Sequence, residues 1–421
     1  MRLLVIGAVS GNGGDAAILH AEIETVREAL GSEELTVDVV DSNPGVARRV
    51  VPGLDRVVGL KDPDALTPRR PTDRSLPSRA YRRVRRSLRR PRATAPAAGP
   101  LTMRMPRAEV LDLFQDADVV LYTGGTSLVE HYPLEEKFAH IEVALTARRP
   151  LVLGTQSLGP FQRPAHQEQV RRVTARASAV LLRDDRSLGN LGQIGADVSR
   201  AKVLPDIVFA LADPRPQRPV TQRPRVAVSA RAWNHFSGTS AAAGQASYVD
   251  ALRGAVTWLV RERQAEVVFL STCQGIDEYW IDDSHTASMI AAGLPEDVRQ
   301  GVTVERGHRS PAELQDAYAS FDVVLATRMH AAILSLNAGT PVVAVAYEFK
   351  TTELFRGLGL EELSHDIETV SAAGLTASLD HVLSHQGAVR EVVAGKVVAW
   401  RREARELGLL VVSARRKRAD S

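Results

Sequence analysis

The chain alternates short apolar runs with helical patterns. The apolar runs are continuous and rich in β-branched residues, which is typical of parallel strands covered on both faces. A turn containing glycine or aspartate usually follows each run. We predict strands at residues 2–7, 35–41, 117–123, 150–155, 179–184, 201–206, 225–230, 265–271, 301–305, 321–327 and 341–347.

Helical patterns lie between these strands, which predicts an α/β fold of two Rossmann-like, doubly wound parallel sheets. The clearest helices are expected at residues 134–148, 164–177, 248–263, 311–320 and 331–338. A last helical stretch, about 387–408, carries an apolar face and is expected to fray into the basic tail "ARRKRADS".

A proline-rich segment divides the chain into two halves. Residues 212–224 contain four prolines and no apolar periodicity, so we predict a linker there. The resulting organisation is an N-terminal domain at 1–212 with an insert at about 62–104, a linker at 213–224, a C-terminal domain at 225–385, and a C-terminal helix and basic tail at 386–421.

Composition places the chain among cytoplasmic proteins. Its apolar fraction of 44% and charged fraction of 24% are ordinary for a globular protein, and it has no apolar run of membrane-spanning length. The N-terminus turns polar too early for a signal peptide. Cys273 is the only cysteine, which excludes an internal disulfide and a cysteine-based zinc site.

The insert concentrates the positive charge. Residues 67–92 hold eleven arginines and one aspartate, a local charge of +10, although the whole chain carries only +3. Two readings stay open: a solvated insertion, or a peripheral contact with the anionic inner face of the membrane. No specific nucleic-acid binding is expected, because Tyr81 is the only aromatic residue there.

Candidate binding residues follow the predicted strands, where open α/β sheets bind their ligands. In the first half these are residues of glycine-rich loops with neutral donors, whose alternative role is to form tight turns. They are Asn12, Asp15, Gly124, Gly125, Thr126, Ser127, Gln156 and Ser157.

Cations also follow predicted strands. Arg183 lies where it opposes a helix dipole, so helix stability does not explain it; the alternative is an ion pair with Asp184 or Asp185. In the second half the cations are Arg231, Arg328, His330 and Lys350. Such a set predicts a small, highly charged anionic ligand.

Two other kinds of site are not expected. The chain lacks a metalloprotease motif, and Asp282–Asp283 and Glu361–Glu362 are read as solvated pairs, so we predict no metal and no cofactor. A serine hydrolase would need a G-x-S-x-G elbow, which is also missing.

Taken in order, the motifs resemble those of the polysaccharide pyruvyl transferase family. The resemblance spans about residues 5–360 without the insert, and the Arg-x-His-Ala block with its later lysine is its most specific part. The motifs are "GNGGDAAIL", "GGTSL", "GTQSLGPF", "RDDRSL", "PDIVFAL" and "TRMHAAILSLNAGTPVVAVAYEFK".

The resemblance implies a glycosyltransferase-B-like arrangement of the two domains around a cleft. It also implies transfer of pyruvate from phosphoenolpyruvate to a sugar of a polysaccharide or glycolipid precursor, as a cyclic ketal with release of phosphate. Lipid-linked and nucleotide-linked sugars are both open as acceptors. The family's arginine–histidine pair falls on Arg328 and His330, its lysine on Lys350, and a further arginine on Arg183.

Two alternatives remain. A nucleotide-sugar glycosyltransferase of the same architecture would need a late carboxylate for the ribose, and Glu348 and Glu353 are candidates. The other alternative is a non-catalytic protein that binds an anionic surface.

Overall fold

Two parallel α/β sheets form the body of the protein. The structure is a computed structural model and describes residues 1–59, 108–130, 132–216 and 223–419. The insert predicted at 62–104, with its proposed membrane contact, lies outside the described residues.

The N-terminal domain contains a seven-stranded parallel sheet in the order β3-β2-β1-β4-β5-β6-β7. Its strands are β1 Arg2–Ala8, β2 Thr36–Asp41, β3 Arg56–Gly59, β4 Val119–Tyr122, β5 Leu151–Gln156, β6 Ala179–Leu182 and β7 Ala201–Val203. Its helices are α1 Gly13–Leu30, α2 Pro44–Val50, α3 Ala108–Asp116, α4 Glu135–Thr146, α5 Pro164–Arg176 and α6 Asp185–Gln193, followed by a 3₁₀ turn at Ile207–Leu211.

The C-terminal domain contains a six-stranded parallel sheet in the order β10-β9-β8-β11-β12-β13. Its strands are β8 Arg225–Ser229, β9 Glu266–Phe269, β10 Val302–Val304, β11 Val323–Ala326, β12 Val342–Ala346 and β13 Ser364–Asp366. Its helices are α7 Ala241–Arg263, α8 Asp283–Ala292, α9 Glu296–Arg299, α10 Pro311–Ala319, α11 Met329–Asn337, α12 Phe349–Leu358 and α13 Ala372–Ser384, with a 3₁₀ turn at Glu361–Leu363.

Strand order reverses once in each sheet, between β1 and β4 and between β8 and β11. Loops that leave the sheet on either side of such a reversal diverge and open a crevice, which is where open α/β sheets bind ligands. The predicted fold class is confirmed: eleven predicted strands correspond to strands of the structure. The sequence missed β3 and β13, which are short edge strands.

The C-terminal tail differs from its prediction. Two helices, α14 Gln386–Ala404 and α15 Glu406–Ala419, replace the single fraying helix that was expected. α14 packs against the 3₁₀ turn at Ile207–Leu211, and α15 packs against α1. A Cβ at Gly408 would lie 2.0 Å from the Thr25 carbonyl oxygen, so only glycine permits this approach. The last described helix therefore packs on the N-terminal domain, and α14 contacts both domains.

Candidate functional site

Arg183 organises the N-terminal side of the cleft. It directly follows β6, and its side chain is only 4% exposed. The guanidinium donates through Nε to Ser157 Oγ at 2.7 Å, through Nη1 to Asp206 Oδ2 at 2.8 Å, and through Nη2 to Thr126 Oγ1. Arg183 thus binds three loops together, and its ion pair is with Asp206 rather than with Asp184 or Asp185.

Asp184 has a separate structural role beside it. Its carboxylate caps α6 by accepting from the Ser187 backbone N–H at 2.7 Å, and it accepts from Ser157 Oγ at 2.6 Å. Because the Ser157 hydroxyl donates to Asp184, its lone pairs are available to Arg183. This chain of hydrogen bonds fixes the guanidinium before any ligand arrives.

Lys350 reaches the same threonine from the other domain. It lies in the first turn of α12, and Nζ is 2.6 Å from Glu348 Oε2 and 3.4 Å from Thr126 Oγ1. Burial alone would lower the pKa of this amine, but Tyr347 and Glu348 outweigh burial and raise it. Lys350 is therefore a charged ammonium at neutral pH.

His330 lies at the N-terminus of α11 and faces both Asp206 and α1. Its Nε2 is 3.6 Å from Asp206 Oδ2 and makes no hydrogen bond, although it is buried. A Cβ at Gly14 would lie 2.4 Å from His330 Nδ1, so the glycine makes room for the ring. Burial alone would raise the pKa of Asp206, but His330 and Arg183 hold it well below its usual value.

Asp15 faces these cations from the first turn of α1. Its helix is capped by Asn12, whose Oδ1 accepts from the Gly14 N–H at 3.0 Å. Burial raises the pKa of Asp15. Electrostatic interactions with His330, Lys350, Arg183 and Arg328 act to lower this pKa but do not outweigh burial. Its carboxyl makes no hydrogen bond with the residues that the structure describes.

Arg328 is held by a carboxylate of its own domain. Its Nε and Nη2 donate to Asp283 Oδ2 and Oδ1 at 2.8 and 2.7 Å, and Ser271 Oγ donates to the same carboxylate at 2.5 Å. Asp283 is only 2% exposed, so its reading as part of a solvated pair was wrong. The pairing fixes the start of α11, and direct ligand contact by Arg328 stays a prediction.

Arg231 forms part of an aromatic cluster at the cleft. Its guanidinium carbon lies 4.1 Å from the Tyr347 ring centroid and 5.1 Å from that of Trp233. Burial alone would raise the pKa of Tyr347, but Lys350 and Arg231 outweigh it and lower the pKa. Sequence reasoning missed Tyr347 and Trp233 as site residues, because neither belongs to a cationic or glycine-rich pattern.

The remaining predicted residues shape the loop after β4. Gly125 has φ +118°, and its N–H donates to the Thr155 carbonyl at 2.9 Å. Gly125 also pairs with Gln156 as an isolated bridge.

Side chains of the same region add further contacts. The Gln156 side chain donates to the Thr123 carbonyl, while Ser127 Oγ lies 2.9 Å from Tyr122 Oη. A side chain at Gly124 would meet the Thr155 carbonyl oxygen at 2.8 Å. These contacts support the loop that presents Thr126, and ligand binding by these four residues stays a prediction.

A pocket of about 300 Å³ adjoins the cations between the two domains. Arg183, Asp206 and Lys350 form part of its wall, and α14 contributes Trp400 and Glu403. No group of three histidine, cysteine, aspartate or glutamate side chains in the described part of the chain is placed to hold a metal ion. No helix in the described ranges is long and apolar enough to span a membrane.

The fold is shared with other two-domain α/β proteins of known structure. One similar structure is UDP-GlcNAc 2-epimerase from Methanocaldococcus jannaschii, with a TM-score of 0.56, 8% identity, and coverage of 95% of this chain and 100% of the other. Another is Anabaena HepE in complex with UDP-glucose, with a TM-score of 0.53, 14% identity, and coverage of 100% and 98%. At these identities the likeness establishes the fold, which is glycosyltransferase-B-like.

A two-domain α/β protein of glycosyltransferase-B-like fold is the class that these observations define. The family model "Polysaccharide pyruvyl transferase" matches residues 12–348, so the chain belongs to the polysaccharide pyruvyl transferase family. The chain is also similar in sequence to the amylovoran biosynthesis protein AmsJ of Erwinia amylovora. It is 28% identical over 417 residues, which cover 94% of this chain and 95% of AmsJ.

Proposed function

We propose that the protein transfers the pyruvyl group of phosphoenolpyruvate to two hydroxyls of one sugar, forming a cyclic ketal and releasing phosphate. The observation that carries this proposal is the meeting of Arg183 and Lys350 at Thr126, with His330 next to the same cluster. Phosphoenolpyruvate carries a carboxylate and a phosphate on the same carbon, C2, and a pair of fixed cations suits both groups.

Both cations keep hydrogens for a ligand. A guanidinium has five N–H donors, and Arg183 directs one from each nitrogen at Ser157, Asp206 and Thr126. An ammonium has three, and Lys350 directs two at Glu348 and Thr126. The remaining donors can bind the phosphate or carboxylate while the protein contacts hold the side chains in place.

His330 is proposed to move the proton to carbon. In the first step one sugar hydroxyl adds to C2 of the enol ester while His330 gives a proton to C3, which becomes the methyl group. Asp206 faces Nε2 and stabilises the imidazolium before the transfer. We assign Asp15 as the acceptor of the proton of the attacking hydroxyl, a role supported by its carboxyl making no hydrogen bond with the described residues.

The second step closes the ketal. The other hydroxyl attacks C2, the C2–O bond to phosphate breaks, and the hydroxyl proton leaves with the phosphate. Two C–O bonds to the sugar replace the C2–C3 π bond and the C2–O phosphate bond, so atoms and charges balance. Arg183 and Lys350 stabilise the leaving phosphate, where negative charge accumulates.

Phosphate release tests the proposal against the glycosyltransferase alternative. The protein is incubated with phosphoenolpyruvate and a panel of methyl, lipid-linked and nucleotide-linked hexosides, and inorganic phosphate is measured. Phosphate release that depends on both substrates supports pyruvyl transfer. Release of a nucleoside diphosphate from a sugar nucleotide, with no phosphate from phosphoenolpyruvate, would replace it with glycosyl transfer.

A further inference from the structure

The pocket between the domains offers a surface that the proposed donor does not use. Arg183 and Lys350 are part of its wall, so the pocket borders the proposed donor site. A volume of about 300 Å³ lies at the lower end of the range for small-ligand pockets, roughly 300–1,000 Å³. It is therefore sized for one small ring rather than for a nucleotide sugar.

Trp400 provides a flat apolar wall in this pocket. Its ring packs on Phe209 with centroids 4.8 Å apart, and it is half-buried between the two domains. A Cβ at Gly357 would lie 3.0 Å from Trp400 Cζ2, so a larger side chain there would press on the ring. The indole N–H makes no hydrogen bond with the described residues. An amphipathic ring of this kind packs well on the C–H face of a pyranose.

Carboxylates form another part of the wall. Glu403 lies one helical turn after Trp400, Glu353 pairs with Arg356, and Asp185 is exposed at the start of α6. Carboxylate oxygens accept hydrogen bonds from hydroxyls, whereas they repel phosphate groups. The pocket lining holds five carboxylates and three cations, so its excess negative charge favours a neutral polyhydroxylated ligand over a nucleoside diphosphate.

We propose that this pocket is the acceptor subsite and holds one pyranose ring against Trp400, with two free hydroxyls directed at Arg183 and Lys350. This inference rests on the proposed pyruvyl transfer and adds the location and chemical class of the acceptor. A ring stacked on Trp400 with hydroxyls bound to Glu403 would present its remaining edge to the donor. The acceptor is thus a sugar with at least two neighbouring free hydroxyls and an uncharged ring.

Kinetics of Trp400→Ala test the subsite. The probes are methyl galactopyranoside and methyl glucopyranoside, each of which has free hydroxyls at C4 and C6. We expect the KM for the glycoside to rise about 10-fold, since the loss of one aromatic contact is worth roughly that factor, with the KM for phosphoenolpyruvate unchanged. Trp400→Phe should recover much of the loss. Glu403→Gln, which leaves the packing intact, should also raise the KM for the glycoside alone.

Trp258→Ala is the matched control, because Trp258 is a half-buried tryptophan on α7 that stacks with Arg263 and does not line the pocket. Both KM values should stay as in the wild type. Unchanged glycoside KM in folded Trp400→Ala and Glu403→Gln, or an equal rise of both KM values, would overturn the subsite alone. If no glycoside supports phosphate release by the wild type, the proposed function and the subsite fail together.

Discussion

Arg183 and Lys350, from opposite domains, donate hydrogen bonds to the same oxygen, Thr126 Oγ1. Each cation also has its own carboxylate, Asp206 for Arg183 and Glu348 for Lys350. Two buried cations would repel each other without these partners. The arrangement fixes two positive charges within reach of one small anion, so the proposed donor site would depend on both domains.

Loss of Lys350 is expected to weaken donor binding selectively. Lys350→Met should raise the KM for phosphoenolpyruvate about 10–100-fold, the range for one hydrogen bond to a charged group, and leave the acceptor KM nearly unchanged. Lys396→Met, on the exposed face of α14, is the control and should behave as the wild type. A larger effect on the acceptor KM than on the donor KM would contradict the assigned role.

Loss of His330 is expected to slow chemistry rather than binding. His330→Ala should lower kcat by about 10²–10⁴, the usual range for a general acid or base. His285→Ala replaces an exposed histidine on α8 and should leave kcat unaffected. A folded His330→Ala protein with near-normal kcat would remove this residue from the proton transfer.

Gly14 tests whether the position of the imidazole matters. Gly14→Ala places a methyl group 2.4 Å from the present position of His330 Nδ1, so the ring must move. We expect kcat to fall at least about 10-fold, since a displacement near 1 Å can cost more than that. Gly192→Ala on α6 has nothing within 4 Å and serves as the control. Equal kcat in both variants would show that the ring position is not critical.

Glu22 gives the fold a pH dependence that can be measured without substrate. Its buried carboxyl accepts from Thr123 Oγ1 and the Gly124 N–H, both at 2.8 Å, and desolvation raises its pKa to about 8. Because the pKa of Glu22 is raised in the folded state, the free energy of unfolding is not reduced by this carboxyl below about pH 4.5. It falls as the pH rises from there to about 8, where the buried carboxyl ionises.

Glu22→Gln should remove this loss, because the amide can accept from Gly124 and donate to Thr123 without ionising. We expect the Tm of the variant, relative to wild type, to increase between pH 5 and pH 8 by a few degrees and then to level off. Glu24→Gln, on the half-exposed side of the same helix, should show no such trend. A constant Tm difference across this range would mean that Glu22 stays ionised.

The parts of the fold that the sequence predicted are those with dense local patterns. Runs such as residues 341–347 identify their strand by apolar content alone, whereas β13 has the sequence Ser-His-Asp and pairs only with β12 at the sheet edge. The arginines of the tail suggested fraying, yet Arg415 pairs with Glu33 across the N-terminal domain. That contact joins residues far apart in the chain, so no local pattern reports it.

In the candidate site, too, the residues marked by local sequence patterns were predicted and those that depend on contacts between distant parts of the chain were missed. Arg183, His330 and Lys350 follow strands, so the rule that ligands bind beyond the carboxyl ends of strands predicts them from sequence alone. Asp283 lies 45 residues before Arg328 in the chain, and only the folded structure shows that it is buried and paired with Arg328. Trp400 was missed for the same reason. It lines the pocket with Arg183 and Lys350, which are far from it in the chain, because α14 contacts both domains.

The most direct test of pyruvyl transfer uses phosphoenolpyruvate labelled with ¹³C at C2, incubated with the protein and the glycoside panel and followed by NMR. Pyruvyl transfer predicts that the labelled enol carbon becomes a saturated ketal carbon attached to two sugar oxygens, with one methyl group and one phosphate formed for each ketal. Label that stays in phosphoenolpyruvate, or appears only as free pyruvate, with every glycoside would contradict pyruvyl transfer to a sugar.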